Sequence, residues 1–275
     1  MATSRYSFPR QLSVICSAPH AESAGDRAAA TRDETVTHHL GEITLLAAHG
    51  LGAVLETPPP SPTSGPGATS PGGRRAVTTL LDVRARHRGP TPLMVHATVR
   101  PDLSRERREG APEDERSWRA RLLAQVYAGA DIVSGRAVTT VAAAVAVALA
   151  SRAAEADCVI WLALGPDGHL ADGEPPHEAV RSIDLATRGS VIGYGLELAA
   201  GSPPPVWDAG PRWSAAWLDR IGGVRFIARP GSGSAEELAD ALVRVAVEFP
   251  CVDTFGSADD SSPDDVVALV ERLTD

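Results

Sequence analysis

Lysine is absent from this chain of 275 residues: all 26 basic residues are arginine. A guanidinium stays protonated in proteins, so it neither forms a Schiff base nor serves readily as a general base. Lysine-dependent aldolases, pyridoxal-phosphate enzymes built on a Schiff-base lysine, and the P-loop nucleotide motif are therefore excluded. Cysteine is scarce: Cys16, Cys158 and Cys251 stand far apart, in neither a disulfide framework nor a metal-ligand spacing. Aromatic residues make up only 4% of the chain, which leaves Ala, Val and Leu to fill the core. No apolar run approaches the roughly 20 residues of a membrane helix. The apolar stretch 12–17, behind Arg5 and Arg10, is too short for a signal-peptide core. Net positive charge is lacking too. The formal charge of −9 argues against nucleic acid or an anionic membrane as a partner, and the expectation is a cytoplasmic protein.

What is there is a regular alternation of apolar, β-branched runs with helical stretches. Strands are predicted at 12–16, 51–55, 92–99, 131–133, 158–164, 191–196, 224–228 and 251–255. Helices are predicted at 33–49, 76–86, 112–128, 139–154 and 176–187; in the first, Leu40, Ile43, Leu46 and Ala47 share one face. Strand–helix alternation with short connections implies parallel strands joined by crossover helices. Eight such units over residues 1–275 predict an α/β fold, a single (β/α)8 TIM barrel, for which about 250 residues is typical. No GxGxxG follows the first strand, which weakens a dinucleotide-binding alternative. The stretch 58–73 (PPPSPTSGPGATSPGG) is too poor in apolar residues to form a core element. It reads either as a linker or, since it directly follows a strand, as a loop over an active site. The GSGS at 231–234 reads either as a phosphate cradle before a helix or as a turn.

Several stretches, in order along nearly the whole chain, resemble the homocysteine S-methyltransferase family. They are AGAD at 128–131, GHLADGEPPHEAV at 168–180 (similar to the family's G-x-L-x-D-G-x-P-x-x-E-A-V), VRPDL at 99–103, and GSADDSSP at 256–263 where the family reads GGCCGTTP. The resemblance implies the barrel. It also implies a zinc ion that holds a substrate thiolate through one cysteine after strand six and a pair after strand eight, because soft thiolates hold zinc while leaving an open position. The chain departs from the family at those points. Gly193-Tyr194-Gly195-Leu196 replaces the family's G-x-N-C, and Ala258 and Asp259 replace the pair, so zinc is expected to be absent. Cys158 and Cys251 fall at the wrong ends of their strands, whereas Cys16 is better placed but alone.

Two further family positions, which serve the amino-acid substrate there, align with Arg136 and Gly231, the latter preceded by Arg229. An arginine in place of an acidic residue favours a carboxylate or phosphate over an ammonium. The barrel mouth is thus expected to carry Arg100, Arg136 and Arg229 opposite Glu56, Glu197, Asp259 and Asp260. These charges either bind a substrate or tie the loops together as a salt-bridge network. The candidate catalytic residues are Glu56, His96 and Asp259; the candidate substrate-binding residues are Arg100, Arg136, Arg229, Gly231 and Tyr194. His96 points into the barrel as a proton-transfer group or a hydrogen-bonded core histidine, and His38 and His39 are expected on the surface. The function that follows is a zinc-independent enzyme, repurposed from the family's barrel for a small anionic metabolite, in specialised metabolism. The alternatives are a non-catalytic scaffold with a protein partner, and a thiol methyltransferase with an unrecognised site.

Overall fold

The computed structural model describes residues 12–17, 32–57, 71–89, 93–100, 122–123, 125–198, 220–226, 234–248, 252–256 and 263–274. Eight strands run parallel in sequence order: β1 (Ser13–Ser17), β2 (Gly52–Glu56), β3 (Met94–Val99), β4 (Ile132–Val138), β5 (Asp157–Leu164), β6 (Val191–Leu198), β7 (Ile221–Phe226) and β8 (Thr254–Gly256). β1 pairs with β8 through Ser13–Thr254, Val14–Phe255 and Ile15–Gly256, which closes the barrel. Around it lie the helices of the described residues: α1 (Arg32–Ala48), α2 (Pro71–Arg86), α3 (Val141–Ala153), α4 (Pro176–Thr187), α5 (Ala235–Glu248) and α6 (Pro263–Thr274). The chain is a single (β/α)8 barrel. No helix among the described residues is long and apolar enough to cross a membrane.

Several boundaries differ from the sequence expectation. β4 continues to Val138 instead of stopping at 133, so Arg136 belongs to the strand and not to a loop after it. β7 begins at Ile221 and not at 224. α2 begins at Pro71, where the fixed φ of proline suits a first helical turn, so the last residues of the 58–73 stretch are helical. The rest of that stretch, the first three residues of the GSGS at 231–234 and most of the predicted helix 112–128 lie outside the described residues.

The helices bury one stripe each. α4 hides Ala179, Val180, Ile183 and Thr187, starts at Pro176, and stops where Arg188 adopts a left-handed conformation (φ 57°). α1 hides Val36, His39, Ile43 and Leu46. His39 is thus buried, contrary to the surface position expected for it, because it falls on the apolar stripe. Glu42 meets both histidines, His38 at 3.3 Å and His39 at 3.2 Å. Burial alone would raise the Glu42 carboxyl, but its bonds to His38 and His39 overcome that and hold it at about 2.

Strand alternation divides the core into two layers. Outward residues such as Val14, Cys16, Leu55, Val95, Val133 and Ile160 pack against the helices. Inward residues Ile15, Ile132, Val159 and Trp161, with Val54, Met94 and Ile192, fill the lower barrel. The alternation slips at three places. Between Cys158 and Val159, β5 advances one residue while β6 advances from Val191 to Gly193. Between Tyr194 and Gly195, β7 advances from Ile221 to Gly223, and β4 gains a residue against β5 between Gly135 and Val138. Each slip is a bulge, and an inserted residue exchanges the inner and outer faces for the rest of the strand.

Candidate functional site

The bulges of β6 and β7 turn Glu197 and Arg225 to the interior near the C-terminal ends of the strands, the end at which barrel enzymes act, and Arg136 joins them by plain alternation from Ile132 on β4. Glu56 closes β2, one step above Val54 on the inner face. Its Oε2 accepts hydrogen bonds from Arg136 Nη1 at 3.0 Å and Arg225 Nη1 at 2.6 Å, and its Oε1 accepts one from Ser134 Oγ at 2.9 Å. Glu197 on β6 completes the cluster. It accepts from Arg136 Nε and, at 2.6 Å, from the backbone N–H of Ala137, and its Oε1 lies 3.8 Å from Arg225 Nε. Ala137 makes that bond from a left-handed backbone, φ 52°, within the β4 bulge. All four charged residues are at most 1% exposed.

Trp161 is the floor of this cluster. Its Nε1 donates to Ser134 Oγ at 3.1 Å, and the Arg225 guanidinium sits 5.7 Å from its ring centroid. The indole fits because β6 and β7 carry glycines there: a Cβ on Gly223 would stand 2.5 Å from the ring. Burial alone would raise the Glu56 carboxyl. The guanidiniums of Arg136 and Arg225, then His96 and the Ser134 hydroxyl, overcome this and hold it below its ordinary value. His96 neighbours Glu56 in the β2–β3 register and lies on the inner face of β3, between outward Val95 and Ala97. Burial lowers its pKa, against opposition from Glu56 and Asp131, so the imidazole is neutral near pH 7.

Of the candidates named from sequence, Glu56, His96 and Arg136 thus converge, and Glu197 joins them. Arg100 follows β3 directly and is half-buried. Tyr194 is elsewhere. It faces the helices, where its hydroxyl donates to Asp184 Oδ1 at 2.7 Å and Arg220 lies 5.4 Å from its ring centroid. Burial, first, and then Asp184 raise its pKa. The β6 bulge is the reason: counting by twos from inward Ile192 selects Tyr194 and Leu196, whereas the inserted residue turns both outward and brings Gly195 and Glu197 in. Arg229, Gly231, Asp259 and Asp260 lie outside the described residues. Sequence reading missed Arg225 and Trp161. The available signal was an arginine and a tryptophan inside apolar strands, where a polar head finds partners only in the barrel interior.

The described residues fit a thiolate-bound zinc poorly. The inward residue on β6 is a carboxylate already engaged by a guanidinium and a backbone N–H, and a cation placed there would meet Arg136 and Arg225. Cys16 faces α1 in the outer layer, contrary to the favourable placement expected for it; burial, first, and then Glu42 keep its thiol protonated. Burial pushes the Cys158 thiol, near the start of β5, up to about 12. Among the described residues no group of three or more His, Cys, Asp or Glu side chains is arranged to hold a metal ion.

No family model and no curated protein matches the chain. Solved structures do. The homocysteine methyltransferase MmuM from Escherichia coli in its metallated form aligns with a TM-score of 0.66 at 19% identity, over 96% of this chain and 97% of that one. Its apo form gives 0.63 at 18%, over 96% of each. A multifunctional pyruvate carboxylase from Rhizobium etli aligns with a TM-score of 0.55 at 11% identity, over 97% of this chain and 27% of that one. The fold is shared at a distance. At these identities the likeness concerns the barrel alone.

Proposed function

We propose that this chain is a barrel enzyme, related at a distance to the homocysteine S-methyltransferases, that acts without zinc on a small anionic metabolite. The observation that supports it is the convergence of Arg136, Arg225, Glu56 and Glu197 inside the barrel. Burying four charges costs several kcal/mol per ion before mutual attraction offsets it, so an apolar layer would stabilise the fold as well or better. This barrel does build such a layer just below, from Ile15, Ile132 and Val159. Ala137 adds strain of about 1–2 kcal/mol to aim one N–H at Glu197. Costs of this kind concentrate where ligands bind. In this reading Arg100 meets the ligand's charge at the mouth, above a cluster whose two guanidiniums and two carboxylates balance, and neutral His96 beside Glu56 takes the proton. Arg229, Gly231 and Asp259, candidates from sequence, lie outside the described residues and carry no part of this reading.

The test is calorimetric titration with succinate, malate and inorganic phosphate, beside metal analysis of the purified protein. Binding of at least one anion below about 1 mM, about −4 kcal/mol, supports the reading. Stoichiometric zinc together with stabilisation by homocysteine would overturn it in favour of a thiol methyltransferase. A second reading, a non-catalytic scaffold with a protein partner, draws on the mutual saturation of the four charges. It requires that none of the anions bind and that His96→Asn change nothing but stability.

A further inference from the structure

The inner face of β3 carries a polar stripe that the charge cluster does not absorb. His96 and Thr98 alternate with outward Val95, Ala97 and Val99, and Arg100 follows at the strand's end. Thr98 stands beside Ser134 in the β3–β4 register. The two hydroxyls differ in their surroundings. Ser134 Oγ donates to Glu56 and accepts from Trp161, so it is fully employed. The backbone of Thr98 is also employed, its N–H donating to Thr57 Oγ1 at 2.8 Å and its carbonyl accepting from Gln125 Nε2 at 3.5 Å. Among the described residues its side-chain Oγ1 has no hydrogen-bond partner, although the residue is only 1% exposed. A buried hydroxyl without a partner is costly, and Val would fill the same space without that cost.

We infer that Thr98 is a ligand-contacting residue whose hydroxyl donates to an oxygen of the small anion proposed above, between His96 and Arg100. This rests on the anionic-ligand reading and adds to it a named donor on β3. A hydroxyl donor suits the carboxylate and phosphate oxygens alike, and the ligand supplies the partner that the fold withholds.

The experiment compares wild type, Thr98→Ser and Thr98→Val by calorimetric titration with succinate and, separately, inorganic phosphate, with ligand-free melting temperatures measured in parallel. Wild type and Thr98→Ser bind the same probe with similar affinity, and Thr98→Val binds it roughly tenfold more weakly or worse, as loss of a hydrogen bond to a charged group requires. Ligand-free Thr98→Val melts no lower than wild type, because the fold gives the hydroxyl no partner. The probe that responds identifies carboxylate or phosphate as the preferred anion. Unchanged affinity in Thr98→Val overturns the inference while sparing the anionic reading. A lower ligand-free melting temperature in Thr98→Val also overturns it, since the hydroxyl then serves the fold. Failure of wild type to bind either probe overturns the inference, and failure to bind malate as well overturns the anionic reading on which it rests.

Discussion

The indole of Trp161 lies so close over the backbone of Gly195 that a Cβ at that glycine would stand 2.2 Å from the nearest ring atom. The small residue on β6 and the large one on β5 are therefore one packing decision, with Gly223 on β7 extending the same space. Gly195→Ala forces the ring aside, and overpacking of this kind costs about 1–3 kcal/mol. Because Trp161 donates to Ser134, which donates to Glu56, the displacement also loosens the carboxylate. Urea denaturation measures the first effect and a shift in tryptophan emission the second. A variant as stable as wild type would mean that the interior has slack.

Arg136 is shared between Glu56 and Glu197, so removing it takes one cation from two buried carboxylates at once and leaves Arg225 between them. Arg136→Met is expected to destabilise by about 3–5 kcal/mol, in the range for one partner lost from a buried pair. Glu197→Gln in the same background should recover part of that loss, giving a coupling energy of about 0.5–3 kcal/mol in a double-mutant cycle. A loss under about 1 kcal/mol for Arg136→Met would show that water reaches and screens the cluster.

Acid should weaken the fold in two stages. His96 has a folded pKa below its ordinary 6.5, so the unfolded chain takes up a proton first and stability falls as pH drops below 6.5. Glu56 has a folded pKa below its ordinary 4.5, so its contribution is complete above 4.5 and is lost as pH falls through the folded value. His38 acts in the opposite sense, because its bond to Glu42 raises its pKa, and its contribution is lost as pH rises through that value. The comparison is therefore between wild type and His96→Gln, by denaturant melts from pH 7.5 to 4. The variant should lack the decline that sets in as pH drops below 6.5, and identical curves would place His96 in water.

The barrel was legible because each strand carries its own apolar signal, and eight of them in alternation with helices leave few topologies. The interior was less legible, because the facing of each side chain depends on bulges that a count by twos does not detect. Glu56, His96 and Thr98 sit on strands without a slip beneath them, and simple alternation places all three inside. On β6 the inserted residue exchanged Tyr194 and Leu196 for Gly195 and Glu197. On β7 the slip between Ile221 and Gly223 brought Arg225 inward. Glycines at the slips, in Gly193-Tyr194-Gly195 and Gly222-Gly223, were the available warning.

The segment 168–175 shows how a stretch that resembles a functional motif also carries a structural task. Asp172 Oδ2 accepts from the N–H of Val141 at 2.8 Å, at the first turn of α3, and Ala171 N–H donates to Thr139 O at 2.8 Å. Thr140 caps the same turn by accepting from Ala143 N–H at 3.2 Å. The loop after β5 is thereby clasped to the helix after β4, next to the bulge that holds Arg136 and Ala137. Leu170, 3% exposed, anchors it from below. An aspartate at a helix N-terminus satisfies an orphan N–H and opposes the helix dipole, so Asp172→Ala should cost about 1 kcal/mol. Asp172→Asn keeps the acceptor and should recover most of it. Since the clasp also fixes the approach to the mouth, Asp172→Ala is expected to speed hydrogen exchange at Val141 and Ala171 beyond the global change in stability. Equal protection in both proteins would show that the Asp172 bond is not what holds the loop.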